Sequence, residues 1–352
     1  MKEGLIVYKF KTSEQNNDKA TEFETKSLLY LLTKIKGHSS VNLFIIDCFN
    51  DVTAVSDNYS NSWDIQSKNV ASLTPRTVGK ALYTLFANYV SDIPFGHFIL
   101  YLPQLKEPYV EDVSVELFTI NNFKGTKSAD VRTGLKSEIE RRNDPDINTP
   151  SSVSRLDQFL SEVIFVVDKY GKSDYIKSII EFKNLSRLDD DFLVRIFDEI
   201  RAFQAAKKIK SVHGQEVSSI QEAEKFDKNI YRKDIELLVI NRVIGNDLFA
   251  SRGIPLYFMQ EVQRMDTDDI ADLIQECQAK ISRTIFNKNN KRSFWLLLEE
   301  IMMILGKNDA EEIHSVLNQI PTQVKNKMFT LDDSALLYLI ALVKEGLKFE
   351  AK

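Results

Sequence analysis

Between residues 21 and 35, Leu28, Leu31, Leu32 and Ile35 recur at the i, i+3, i+4, i+7 spacing of one helix face, which predicts a helix over 21–35. Three strand-like runs follow, over 41–47, 51–56 and 63–68. Asn58, Tyr59, Ser60 and Asn61 between the last two are turn chemistry, so these runs are expected to pair as a hairpin. Thr74 and Pro75 then supply an N-cap and a first-turn proline. Val78, Leu82, Leu85, Phe86 and Tyr89 form the apolar stripe of a second helix behind them. After Pro94, the apolar run 95–102 is too short and too rich in β-formers for a helix. The predicted order is α-β-β-β-α-β, for which a sheet with helices on its faces is the expected architecture.

Residues 113–121 predict a further strand and 128–142 a charged helix. Residues 143–152 combine two prolines with Asn, Asp and Ser, and are the strongest linker candidate in the chain. Beyond it the periodicity is helical over 192–209, 234–244, 267–286, 293–305, 309–320 and 332–349, several of these segments opening at an Asp, Thr or Ser. Residues 159–167 fit either a helix or a strand. The expected organisation is an α/β domain over 1–145 and an all-α domain for assembly or regulation over 151–352.

Composition excludes several classes. At 352 residues, 43% hydrophobic and 28% charged, the chain is an ordinary globular sequence long enough for two cores. No apolar run is long enough to span a bilayer, and the first residues lack the pattern of a secretory signal. The two cysteines, Cys48 and Cys277, are far apart, and the four histidines show no ligand spacing. A cytoplasmic location without membrane partners is expected. The net charge is −5, and residues 1–150 hold 17 Lys+Arg against 19 Asp+Glu. Contact with nucleic acid would therefore need a local basic patch or several subunits.

One constellation carries chemistry. Phosphodiester hydrolysis needs a hard divalent cation on oxygen ligands and a nearby lysine to stabilise charge or orient water. Gln66 and Lys68 lie on one face of their strand, with Ile65 and Ser67 on the other. Asp51 opens the partner strand, and Asp47 ends the strand before it. On the first helix Glu24 falls on the Leu28 and Leu31 face, where a carboxylate is out of place unless it faces a site; an ordinary first-turn glutamate is the alternative.

The string Asp47-Cys48-Phe49-Asn50-Asp51-Val52, followed by Ile65-Gln66-Ser67-Lys68, resembles the E-x-F-D-D-hydrophobic … Q-x-K pattern of the double-stranded-DNA nuclease domain of bacterial antiphage effectors. That domain belongs to the PD-(D/E)xK superfamily of restriction-endonuclease-like folds and occurs in CBASS, Lamassu and ABC-three-component systems. The α-β-β-β-α-β order is also the superfamily's core, and the resemblance spans about residues 20–125. It implies Asp51 as the main carboxylate for Mg²⁺ or Mn²⁺, Gln66 as the second ligand and Lys68 as the catalytic lysine. Asp47 stands where the family often has Glu, and Asn50 replaces an acid. The resemblance also implies an oligomeric effector held by partner subunits such as an SMC-like ATPase.

Arg76 and Lys80, one turn apart on the second helix, are candidates for phosphate contact, with a solvated charged face as the alternative. Arg141, Arg142, Lys207, Lys208 and Lys210 read as solvated helix ends, and Trp63 as core. The expected function is a metal-dependent DNA endonuclease, active as a homo-oligomer. The rival is a non-catalytic interaction subunit whose degenerate nuclease fold binds DNA or a partner.

Overall fold

A computed structural model describes residues 8–10, 18–70, 72–209, 211–249, 253–308 and 311–350. The chain divides into two compact units, Met1–Tyr175 with Phe197–Asp234, and Ile176–Ile196 with Ile235–Lys352.

The first unit is built on a sheet. Its strands are β1 (Tyr8–Lys9), β2 (Val41–Ile46), β3 (Val52–Ser56), β4 (Ser62–Ser67), β5 (His97–Leu102), β6 (Leu117–Phe118), β7 (Ile164–Val167), β8 (Glu216–Val217) and β9 (Asn229–Tyr231). Seven of them form one sheet in the order β6-β7-β5-β4-β3-β2-β9, while β1 and β8 make a separate pair. β2, β3 and β4 are antiparallel, with Thr53 opposite Asp64 and Val52 opposite Ile65, and β5 runs parallel to β4.

Helices cover both faces. α1 (Asp18–Thr33) buries Leu28, Leu31 and Leu32, and also Leu29 and Tyr30 on its other side. It is a core helix, where the sequence pattern predicts one apolar face. Its Phe23 and Tyr30 rings pack on Tyr101 of β5 at 4.9 and 5.7 Å between centroids. α2 (Pro75–Ala81) and α3 (Tyr83–Val90) lie on the other face, where Leu82, Leu85 and Phe86 join Phe98, Leu100 and Leu102 in one core. Thr74 caps α2 through a reciprocal capping box with Thr77.

α4 (Gly125–Arg142) crosses α2 with almost no space between the backbones. A Cβ at Gly79 would lie 1.9 Å from the Val131 carbonyl oxygen, and one at Gly134 would lie 2.1 Å from that of Arg76. Glycine at both positions permits this crossing.

The structure corrects the expected domain boundary. Residues 143–152 lie inside the first unit: Asn143 ends α4 in the left-handed conformation with φ 49°, and Thr149 caps α5 (Pro150–Ser154). Capping uses the same Asn, Thr and Pro chemistry as a linker. Residues 159–167 split between the end of α6 (Leu156–Glu162) and β7, which inserts between β5 and β6. Of the strand expected over 113–121, only β6 forms. After α7 (Lys172–Lys177) comes α8 (Asp190–Lys208), whose residues 197–208 belong to the first unit together with β8 and β9.

The second unit is helical, as its periodicity predicts. It holds the end of α9 (Arg232–Ile244), then α10 (Met259–Val262), α11 (Thr267–Phe286), α12 (Lys291–Lys307), α13 (Ile313–Gln319), α14 (Thr322–Lys325) and α15 (Asp333–Glu350). Asp309, the expected start of the fifth helix, lies outside the described residues.

Two outcomes follow. Helix propensity favours Ala over Gly by about 1 kcal/mol, but overpacking costs about 1–3 kcal/mol, and here the obstacle is backbone. Gly134→Ala is therefore expected to lose about 1–2 kcal/mol of stability, read as a lower urea midpoint. Residues 1–145 expressed alone lack β7 and β9, which pair with β5 and β2. That fragment is expected to be insoluble or unfolded by circular dichroism, and a cooperatively melting fragment would refute the division.

Candidate active site

The site grows from the β3–β4 hairpin. Residues 47–51 link β2 to β3, and the turn closes where Asp47 N donates to Asp51 O at 3.1 Å. Asp47 has φ 51°, a left-handed conformation that Asp adopts more readily than most residues. Asp51 then ties β3 to the end of β4. Its Oδ2 accepts hydrogen bonds from Ser67 N (2.6 Å), Ser67 Oγ (2.6 Å) and Gln66 Nε2 (2.8 Å). Gln66 Oε1 in turn accepts from Thr84 Oγ1 on α3 at 2.9 Å. Burial drives the Asp51 carboxyl above the ordinary range, opposed by the Lys68 charge and the Ser67 donors. Lys68, half-buried, is the first residue beyond β4, held by its N–H to Tyr101 O at 2.9 Å.

The hairpin thus brings Asp51 and Gln66 into direct contact and puts the Lys68 charge within reach of Asp51. Glu24 is buried on α1, and its Oε2 meets Lys208 Nζ at 2.6 Å. Burial, and then the Asp51 charge, push Glu24 upward, while Lys208 pulls it back. Asp47 is held from the other side, with Lys228 Nζ 3.2 Å from both its Oδ2 and its backbone oxygen. Burial works against the Lys208 ammonium, but Glu24, and beyond it Asp47 and Asp51, raise it above the ordinary lysine value.

One acid escaped the sequence reading. Asp64 has no exposed surface, and alternation places it beside Gln66 on the α3 face. Its Oδ2 accepts from Asn50 Nδ2 (2.5 Å) and Asn88 Nδ2 (2.7 Å), and its Oδ1 from Thr53 Oγ1 (2.9 Å). Burial pushes it up to about 6 despite those donors. The network extends outward as Tyr8 OH donates to Asn88 Oδ1 at 2.8 Å. Asn50 therefore serves Asp64 through its amide nitrogen. Among the described residues its buried Oδ1 has no hydrogen-bond partner.

A cleft of about 710 Å³ opens on this face, with Asp47, Asn50, Asp51, Gln66, Thr84 and Arg142 among its walls. Glu24 and Lys68 do not line it. Arg76 and Lys80 are exposed on α2, outside it. Of the described residues, Lys9 and Arg142 are the cations that line the cleft; the sequence presents Arg142 as a solvated helix end. Its guanidinium lies 4.2 Å from the Tyr83 ring centre, and its Nε donates to Glu138 Oε1 at 2.8 Å.

Among the described residues no three His, Cys, Asp or Glu side chains converge as a metal cage. Mg²⁺ asks for less, one or two carboxylates with waters and substrate phosphate completing its shell. The oxygens that remain are Asp51 Oδ1, to which no described residue donates, Asn50 Oδ1 and the Gln66 amide. The amide must turn to present its oxygen beside Asp51. The Thr84 hydroxyl accepts as readily as it donates, so the turn keeps that contact, while the Gln66 Nε2 hydrogen bond to Asp51 gives way to the cation. The donor set fits a hard cation of this kind. Set against known protein families, curated proteins and solved structures, the chain matches none.

Glu138 tests how Arg142 is held. Hydrogen bonds from Arg141, then Arg142, lower the Glu138 carboxyl to about 2. A depressed carboxylate stabilises the fold above its unfolded value and loses that contribution as pH falls toward the folded one. Glu138→Gln is expected to be about 1 kcal/mol less stable than the parent at pH 7. Thermal melts at stepped pH should show this difference closing between pH 4.5 and 2.

Proposed function

We propose that the chain is a Mg²⁺- or Mn²⁺-dependent phosphodiesterase acting on double-stranded DNA, the effector role that its resemblance to antiphage nucleases implies. The observation that carries the reading is the hairpin contact: Asp51 and Gln66 meet at 2.8 Å, with the Lys68 charge acting on Asp51. The sheet supports it as well. An antiparallel β2-β3-β4 meander continued by a parallel β5, with α1 on one face and α2–α3 on the other, has the order expected of a restriction-endonuclease-like core.

Asp51 and the Gln66 carbonyl would hold the cation, with Asn50 Oδ1 as a third oxygen. When bound, such a cation polarises the phosphoryl oxygens and makes its own water a nucleophile at neutral pH. Lys68 supplies the fixed positive charge on the Asp51 side, where negative charge grows on the phosphate. Arg142, planar and braced by Glu138 and Tyr83, is the phosphate-contacting group at the cleft, a role its fork geometry suits. The second unit would group copies of the chain. It exposes Leu256 (60%), Met259 (50%) and Phe329 (83%), large apolar side chains that an assembly would cover.

A second reading has its own observation. Glu24 and Asp47 are both engaged by lysines, which favours a degenerate nuclease fold that binds DNA or a partner without cutting.

Plasmid cleavage with Mg²⁺ or Mn²⁺ separates the two. Lys68→Ala is expected to lower the cleavage rate by about 10²–10³, as does removal of one charge-stabilising donor in other enzymes. Its melting temperature should stay close to the parent's. Asp51→Ala should abolish cutting and also cost about 1–3 kcal/mol, because buried donors lose their acceptor. A full-length protein that leaves plasmid intact with either metal, or a Lys68→Ala variant that cuts at the parental rate, overturns the catalytic reading.

A further inference from the structure

The segment that returns to the first unit brings a charge to the site that the resemblance does not account for. Residues 201, 204 and 208 share one face of α8, at the i, i+3, i+7 spacing, and all three meet α1. Arg201 lies 3.8 Å from Glu22 Oε2, Thr25 Oγ1 donates to Gln204 Oε1 at 2.7 Å, and Lys208 Nζ reaches Glu24 Oε2 at 2.6 Å. The Lys208 and Glu24 side chains are only 7% and 6% exposed. The ammonium also acts on Asp51 and Asp47. A buried charge persists only beside an opposite one, and Lys208 neutralises carboxylates that would otherwise repel one another.

We propose that Lys208 is the resident counter-charge of the acids Glu24 and Asp51, and that a divalent cation binds Asp51 in competition with its ammonium. This rests on the reading that Asp51 takes a cation. A cation on Asp51 and the nearly buried Lys208 ammonium, which also acts on Asp51, oppose each other, so loading requires Lys208 to withdraw from Glu24. As it does, Glu24 is released to act as a second carboxylate. The two acids then answer one cation at a time, either the chain's own lysine or a metal ion.

Mn²⁺ titration of the full-length chain, followed by loss of the free-ion electron paramagnetic resonance signal, tests this without any cleavage assay. Lys208→Met deletes the charge and keeps most of the volume. It is expected to tighten Mn²⁺ binding by about tenfold or more. That variant leaves Glu24 buried without a partner and can fail to fold, so Glu24→Gln and Glu24→Gln/Lys208→Met are titrated beside it. The double variant should bind about tenfold more tightly than Glu24→Gln alone. Glu24→Gln should bind more weakly than the parent, since the ammonium stays and a carboxylate is lost. Unchanged or weaker Mn²⁺ binding on removal of Lys208, in both backgrounds, overturns the inference. If parental binding nonetheless disappears in Asp51→Ala, the proposed function survives that failure. If no variant binds Mn²⁺ at all, both fall together.

Discussion

All six residues of β4 are buried, although only Trp63 and Ile65 are apolar. A polar group taken from water without a partner is costly, so Ser62, Asp64, Gln66 and Ser67 must each find partners inside the protein. Those partners form the site. Asp64 draws in Asn50, Thr53 and Asn88, Gln66 draws in Thr84, and Gln66 and Ser67 both converge on Asp51. The link between β2 and β3 and helix α3 are thereby fixed to one strand by directional contacts, whereas apolar packing alone would leave their orientation loose. A rigid constellation of this kind is what a hydrolytic site needs, since groups misplaced by an ångström lose much of their effect.

The same constraint works on the charges. Glu24 and Asp51 are buried, and Asp47 sits at the turn beside them. Lys208 and Lys228, which answer these acids, both come from residues 197–234. The α/β core of the first 102 residues is therefore electrostatically incomplete by itself. Its missing counter-charges are supplied more than 150 positions later in the chain. Removing Lys208 would leave the buried Glu24 carboxylate uncompensated, the kind of change that destabilises far more than the loss of an exposed pair.

The central meander, its helices and the Asp51–Gln66 contact were legible in the sequence because they rest on local signals: helix periodicity, turn residues between strand runs, and alternation within one strand. Asp64 was not. A strand covered on both faces does not announce which of its polar residues is a network centre. Lys208 is part of a Lys-Lys-Ile-Lys run that by composition belongs in water, and only tertiary pairing with α1 overrides that preference. β9 is three residues long with one buried side chain, Ile230, too short to show a period. Asn143 and Pro150 misled in a different way, because a helix end followed by a helix start has the composition of an interdomain linker. Arg142 shows the same limit at one residue, as an arginine in a last helical turn gives no sign that Tyr83 and Glu138 will aim it at a cleft.

The cleft's own charge adds a last constraint. Asp47, Asp51, Asp92, Asp144 and Asp146 face Lys9 and Arg142 across it, so acids outnumber bases even where a polyanion is proposed to bind. Nucleic acid is repelled from such a surface until cations are in place. Arg142 and a loaded Asp51 would then be adjacent positive features in an acidic surround, drawing one phosphate to one place while discouraging general adhesion along the duplex. A protein with a net charge of −5 has little other basis for holding DNA as a single copy. Several copies side by side would instead present repeated phosphate-sized sites along one duplex, and binding by the first would raise the effective concentration of the next.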